Sequence, residues 1–313
     1  MIDLQSGRIF LAGDAARQMA PTGGFAGNTG IQDAHNLAWK FALVLQAQAH
    51  PSLLETYYTE RHPVGLFTME QAYKRWKIRC FLNHSSDAEQ DEELSDACVD
   101  LGHRYNNSAA VMYINGARGA VYEDPYWPTA FPGSRAPHIW IRNQDSSSEA
   151  KSKSLYDTFE PGKFVLLCSE NGQRWADAGE TLSKLYPLKV IMVTLQSGFL
   201  SKYKIHNSGA VIIRPDGVIG WKALNDTEVS FLEVMLKSLL RFEVDEDEFP
   251  PSPLMTKTVT ATEVGGLMRK MTLGGRRSGP RSHSVGGNID VNAGPGGLLS
   301  RMTTMRTKKK SIS

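Results

Sequence analysis

Between residues 8 and 40 the chain reads RIFLAGDAARQMAPTGGFAGNTGIQDAHNLAWK: an apolar run, a carboxylate, a glycine-rich loop, then apolar residues at helical spacing. These residue types suit binding a ligand more than making or breaking bonds. Asp14, at the carboxyl edge of an expected strand, can accept hydrogen bonds from ligand hydroxyls, as acidic residues do in dinucleotide folds. Gly13, Gly23, Gly24, Gly27 and Gly30, with Pro21 among them, permit backbone conformations and close approaches that a Cβ would forbid. Asn28 or Thr29 reads as the N-cap of a helix running from Ile31. The unpaired N–H groups there, and the positive end of the helix dipole, suit an electron-rich or anionic ligand. Asp33, in the expected first turn, reads as a residue favoured by that dipole.

The elements that must position this stretch follow from periodicity. Residues 8–12 form a short apolar run ended by Gly13, which predicts a buried strand breaking into a turn. Ile31, Ala34, Ala38, Phe41, Ala42 and Leu45 recur at helical spacing. A second helical stretch covers about 52–77, with Pro63 marking a kink or break, and a third covers about 88–101. Residues 102–132 are rich in Gly, Asn and Pro and carry Tyr105, Tyr113, Tyr122, Tyr126, Trp127 and Phe131, which read as packing at a domain boundary. Apolar runs at 163–168, 188–194 and 210–213 then alternate with helical patterns at 174–185 and 228–240, an α/β arrangement. Arg214-Pro215-Asp216-Gly217 is good hairpin-turn chemistry.

Composition sets the outer bounds. The chain has 313 residues, a formal net charge of +2 and 41% hydrophobic residues, ordinary for a globular protein. No apolar run approaches the ~20 residues of a membrane-crossing helix. Cys80, Cys98 and Cys168 form no CxxC pair, which argues against a disulfide scaffold, a zinc finger and dithiol chemistry. His35, His62, His103 and His138 lack ligand spacing, so no metal site is expected. The N-terminus shows no basic start followed by an apolar core, and a cytoplasmic location is expected. The last part of the chain scatters Arg and Lys among Gly, Ser and Thr without an amphipathic stripe, so a solvated tail is expected and no nucleic-acid partner.

The segment around Gly13-Asp14, Pro21-Thr22-Gly23-Gly24 and Gly27-Asn28-Thr29 resembles the second flavin-contacting motif of the class A FAD-dependent aromatic hydroxylases, the p-hydroxybenzoate hydroxylase and phenol 2-monooxygenase group. The resemblance implies that Asp14 meets a ribityl hydroxyl of FAD and that the Pro21–Gly24 loop lies against the isoalloxazine ring. Gly27, Asn28 and Thr29 would then face the N1–C2=O edge of the flavin, which becomes negative on reduction. Arg17 and Ala20 stand where the family commonly has His and Pro. Tyr57, Glu60, Arg61 and Pro63 match a family Y-x-x-E-R-x-P segment, for which a salt-bridge and helix-end role is expected. Later segments, including Arg135–His138, Ser154–Asp157 and Arg214–Gly217, resemble the thioredoxin-like C-terminal domain of phenol and polyketide hydroxylases.

The implied organisation is an α/β protein. Residues 1–105 would hold the C-terminal part of an FAD-binding domain, 106–132 a linker, 133–241 a thioredoxin-like domain and 242–313 a disordered basic tail. The implied activity is FAD-dependent hydroxylation of a small phenolic or aromatic substrate with NAD(P)H and O₂. No side chain is assigned as catalytic, and Gly13, Asp14, Pro21, Gly23, Gly24, Gly27, Asn28 and Thr29 are the expected cofactor contacts. The family's G-x-G-x-x-G turn and central D-G motif do not occur in the sequence. That predicts a truncated or mis-bounded copy of a longer enzyme; a homodimer or a complementing N-terminal chain would be its partner. The other expectation is a non-catalytic interaction module, or one subunit of a split flavin hydroxylase.

Overall fold

In the computed structural model, residues 5–81, 93–113, 120–141, 152–194 and 198–244 are described. The expected tail therefore lies almost wholly outside the described residues. Strands β1 (Gln5–Ser6) and β2 (Ile9–Phe10) pair antiparallel, and α1 (Phe25–Leu45), α2 (Thr56–Phe81) and α3 (Asp96–Leu101) follow. The expected buried strand at 8–12 is thus only two residues long, with Ile9 66% exposed. Among the described residues it pairs with the two residues of β1 alone.

Helix α1 begins six residues earlier than expected. Gly24 adopts a left-handed conformation (φ 71°) as its N-cap, so Gly27, Asn28 and Thr29 lie inside the first turns. The glycine supplies a conformation that Asn28 or Thr29 would enter only at a cost. Asp33 therefore sits well inside the helix and is fully buried, not in a solvated first turn. The helix ends where Ala47 turns left-handed and the Gln48 N–H reaches the Leu43 carbonyl at 2.8 Å, closing off an otherwise unpaired helix-end acceptor. Pro63 neither ends nor divides α2, which runs through it. Of the helix expected over about 88–101, residues 88–92 lie outside the described residues; α3 starts after 93–95, with Ser95 as its N-cap, its hydroxyl accepting the Cys98 N–H at 3.2 Å.

Strands β3 (Trp140–Ile141) and β4 (Lys153–Ser154) form a small antiparallel pair. The main sheet is built from β5 (Phe164–Ser169), β6 (Leu188–Val193), β7 (Ala210–Ile213) and β8 (Ile219–Ala223), with α4 (Gln173–Leu182), α5 (Phe199–Tyr203) and α6 (Leu232–Leu239) between and after them. Its strand order is β6-β5-β7-β8. β6 runs parallel to β5, and β7 and β8 are antiparallel additions. The strand readings at 163–168, 188–194 and 210–213 match this sheet. The helical reading at 228–240 divides into a 3-10 turn over Asp226–Phe231 and then α6.

Every residue of β5 is buried, because the sheet is covered on both faces and successive side chains alternate between them. Phe164, Leu166 and Cys168 pack with Trp175 of α4, Trp221 of β8 and Met235, Leu236 and Leu239 of α6. Val165 and Leu167 pack on the other face with Ile139, Leu155, Phe199 and Tyr203. Trp39 and Leu43 of α1 enter the first of these clusters, and Trp39 meets the Phe164 ring edge-on at 5.7 Å. One end of α1 thus belongs to the glycine-rich stretch and the other to the core of the sheet.

Trp175 is fully buried, edge-on to Trp221 at 5.6 Å, with its indole N–H on the Ser208 carbonyl at 2.9 Å. Trp175→Ala would leave a large cavity and an unpaired acceptor, so it should cost about 3–5 kcal/mol, read as a fall in the urea midpoint.

Candidate functional site

The Gly13 turn is clamped from two helices. Gly13 has φ 59° and donates its N–H to Asp33 Oδ2 of α1 at 3.1 Å. The Leu11 carbonyl just before it accepts the Tyr57 hydroxyl of α2 at 2.7 Å. A Cβ on Gly30 would stand 3.2 Å from Gly13 Cα, so the turn lies directly against the helix backbone. Asp14, next in the chain, carries its carboxylate on the exposed surface of a single 3-10 turn spanning Gly13–Ala15.

The loop after this turn is anchored by Phe25, 1% exposed beneath it, with the Arg75 guanidinium 4.5 Å from the ring centre. Gly23 (φ 86°) and Gly24 (φ 71°) turn the chain into α1. A Cβ on Gly23 would strike the Phe25 ring at 2.5 Å, whereas the corresponding positions on Gly24 and Gly27 are open. Pro21 precedes them and is exposed. No side chain caps the N-terminus of this 21-residue helix, so its first N–H groups are donors without helical partners, at the positive end of the dipole.

Asn28 and Thr29 diverge. Asn28 Nδ2 donates to Asp100 Oδ2 at 3.0 Å, and Gln32 donates to the Asp100 carbonyl. With Ile31, Asp96, Ala97 and Leu101 these residues line a cleft of about 360 Å³ between α1 and α3. Burial pushes the Asp100 carboxyl above its ordinary range, against the lowering effect of Asn28. Thr29 is buried, and its carbonyl accepts from Arg61 at 3.4 Å. The structure therefore gathers Gly13, Asp14, Gly24 and Gly27 at exposed or half-exposed positions around the turn and the helix N-terminus. It places the Asn28 side chain in the neighbouring cleft and the Thr29 side chain inside.

Beneath this surface lies a buried polar network that sequence reading reduced to a salt-bridge role for Glu60 and Arg61. Asp33 Oδ1 accepts Arg61 Nε at 2.7 Å, and Oδ2 accepts Arg17 as well as Gly13 N–H. Glu60 accepts from Lys40 (2.7 Å), Asn36 (2.7 Å), Ser108 (2.5 Å) and both terminal nitrogens of Arg214 (2.6 and 2.9 Å). Arg214 also pairs with Asp216 of its own hairpin. The Y-x-x-E-R-x-P segment thus serves as a salt-bridge hub, without the helix end expected at Pro63. A signal was present: Thr29, Asp33, Asn36 and Lys40 follow a four-three-four spacing along one helix face, which marks a polar row turned inward when the neighbouring positions are apolar.

Burial raises the pKa of Glu60, but Arg214 and then Lys40 outweigh it and hold the carboxyl well below the ordinary range. Burial lowers Lys40 to about 8 although Glu60 pulls it back up. His103, 9% exposed, stacks obliquely on Tyr105 with ring centres 5.3 Å apart. Burial first, then Arg61 and Arg135, push it from 6.5 down to about 3. An unfolded chain takes up this proton near pH 6.5 while the folded imidazole stays neutral, so His103 contributes stability that is complete above that pH and declines as pH falls toward 3. Glu60 adds a further loss below its unfolded value of 4.5, because its folded pKa is depressed. His103→Gln should remove up to about 1.4 kcal/mol per pH unit of this acid dependence. Urea midpoints measured from pH 7 to pH 4 test it, and an unchanged slope would refute the assignment.

Two family models match the chain. Residues 1–72 match an FAD binding domain, and residues 129–240 match the C-terminal domain of aromatic-ring hydroxylases. Among similar curated proteins, 4-methyl-5-nitrocatechol 5-monooxygenase of a Burkholderia species is 38% identical over 76% of this chain and 44% of its own length. Phenol 2-monooxygenase of a Pseudomonas species is 30% identical over 74% of this chain and 46% of its own. The chain thus spans less than half the length of these relatives. A solved structure of aklavinone-11 hydroxylase with FAD and aklavinone superimposes with a TM-score of 0.67 at 31% identity, covering 76% of this chain and 44% of that one. The flavin-dependent monooxygenase PieE, solved with FAD and substrate, gives 0.61 at 27% identity, covering 76% and 48%. The glycine-rich turn and helix fall in the stretch that matches an FAD binding domain, and the four-stranded sheet falls in the stretch that matches the C-terminal domain of aromatic-ring hydroxylases.

Proposed function

We propose that the chain forms the isoalloxazine-facing wall of an FAD site in a monooxygenase that hydroxylates a small phenolic or aromatic substrate with NAD(P)H and O₂. The observation that carries this reading is the uncapped N-terminus of α1, with open space beside Gly24 and Gly27 and the exposed Asp14 carboxylate on the adjoining turn. An acceptor for ligand hydroxyls and a row of backbone donors is the donor set that a flavin and its ribityl chain require. Relatives named for ring hydroxylation, and a solved neighbour named for its complex with FAD and aklavinone, support the same cofactor and substrate class.

Bound FAD would supply the redox and oxygen chemistry, with NAD(P)H as the electron source. This chain's residues would bind and tune. Asp14 would accept from a ribityl hydroxyl. Pro21, Gly23 and Gly24 would present a surface without bulky side chains to the ring. The backbone donors of Gly27, Asn28 and Thr29 would stand at the edge that gains negative charge on reduction, where the helix dipole favours it. No side chain here is assigned an acid or base step. The reading includes a homodimer or a complementing chain bearing the G-x-G-x-x-G turn. It also includes a division into a flavin segment over 1–105, a linker over 106–132 and a thioredoxin-like domain over 133–241; the strand order β6-β5-β7-β8 supports the last of these.

Titrating the purified full chain with FAD, followed by flavin fluorescence and absorbance, tests the proposal. Saturable binding is expected, and Asp14→Ala should weaken it roughly 10- to 100-fold, the value of a hydrogen bond to a charged group. A chain that leaves the flavin spectrum unchanged at all concentrations would overturn the reading.

A further inference from the structure

The described residues hold one extended buried polar network that the flavin reading does not use, and it joins the tip of the β7–β8 hairpin to the Gly13 turn. Arg214, fully buried, has every guanidinium N–H engaged. Its Nε meets Asp216 Oδ1 (3.1 Å), Nη1 meets Glu60 Oε1 (2.6 Å) and the Ala110 carbonyl (3.3 Å), and Nη2 meets Glu60 Oε2 (2.9 Å) and Asp216 Oδ2 (2.5 Å). Five donors matched by acceptors leave this side chain no alternative geometry. Asn36 Nδ2 lies 2.7 Å from Glu60 Oε2, 3.3 Å from Asp216 Oδ2 and 3.3 Å from the Tyr105 hydroxyl. The same hydroxyl accepts Arg61 Nη1 at 3.3 Å, and Arg61 Nε reaches Asp33 Oδ1 at 2.7 Å. Asp33 Oδ2 then takes Gly13 N–H at 3.1 Å.

We propose that Arg214 and Asp216 are positioning residues for the Gly13–Asp14 turn, acting through Glu60, Asn36, Tyr105, Arg61 and Asp33. Three features support a positioning role over simple stability. Buried charges lose solvation, and apolar residues of equal volume commonly hold a core as well or better; this network instead fixes directions. Its endpoint is a backbone N–H in a left-handed turn beside an exposed carboxylate, not another core contact. Both oxygens of Asp33 are committed, so it cannot rotate toward Gly13 independently of Arg61. The role assigned to the turn rests on the flavin reading above, whereas the coupling between hairpin and turn does not.

Hydrogen–deuterium exchange on the full chain, comparing wild type with Arg214→Lys and Asp216→Asn, separates the two. Lysine keeps the charge at 214 but loses the five-donor fork, and asparagine keeps the shape at 216 but loses the charge. Exchange in a peptide spanning residues 9–20 should quicken about tenfold in either folded variant, while a peptide spanning β5 stays within about twofold of wild type. FAD affinity, measured in parallel, should fall about five- to tenfold. Unchanged exchange at 9–20 in whichever variant folds, or equal acceleration in both peptides, would overturn the coupling. If both variants fail to fold, a purely structural role stands and the proposal falls. If wild type binds no FAD while the exchange result is as expected, the coupling holds and the flavin reading alone fails.

Discussion

The structure depends on keeping the Glu60 carboxylate charged in a place where water cannot reach it. Removing such a group from solvent is costly, and the cost is offset only when partners on all sides supply charge and donors. Here those partners come from α1, from the 108 region and from a hairpin more than a hundred and fifty residues later in the chain. Because no single element can satisfy Glu60, none of them can be displaced without stranding it. Breaking a pair of this kind by deleting one partner typically costs about 3–5 kcal/mol, a large part of the stability of any domain. The flavin-type segment and the main sheet are therefore bound by a directional lock as well as by the apolar contact between Trp39 and Phe164.

Helix α1 carries the consequences from one end to the other. Its last turns contribute Trp39 and Leu43 to the core of the sheet, its middle contributes Asp33, Asn36 and Lys40 to the polar network, and its first turn begins without a side-chain cap. Sequence periodicity puts its apolar face at Ile31, Ala34, Ala38, Phe41, Ala42 and Leu45, yet Ile31 is 70% and Leu45 82% exposed; the buried face instead carries Leu37, Trp39 and Leu43 beside the polar row, because that row finds partners on other elements. A buried Asp or Lys is rare without a partner, and the partners lie far away in sequence.

Much of the architecture was readable for the same reason that this network was not. The strands of the main sheet are short apolar runs between Gly, Pro and Asn signals, and the Arg214-Pro215-Asp216-Gly217 turn announces its hairpin; Gly217 indeed adopts φ 78°. The start of α1 was misplaced because Asn28 and Thr29 are better caps by residue type, whereas the backbone chose Gly24 for its left-handed geometry. Pro63 suggests a break, yet α2 runs through it without interruption. The loop glycines were legible as a group, but which positions are open and which are shielded by Phe25 is settled only by packing.

The near-contact of Gly13 with Gly30 carries a further consequence. Two backbones meeting without side chains between them leave no spacer to compress or rearrange, so the turn and the first part of the helix behave as one solid piece. At that corner the wall is unyielding, and what adjustment remains falls to the exposed side chain of Asp14 rather than to the chain that carries it.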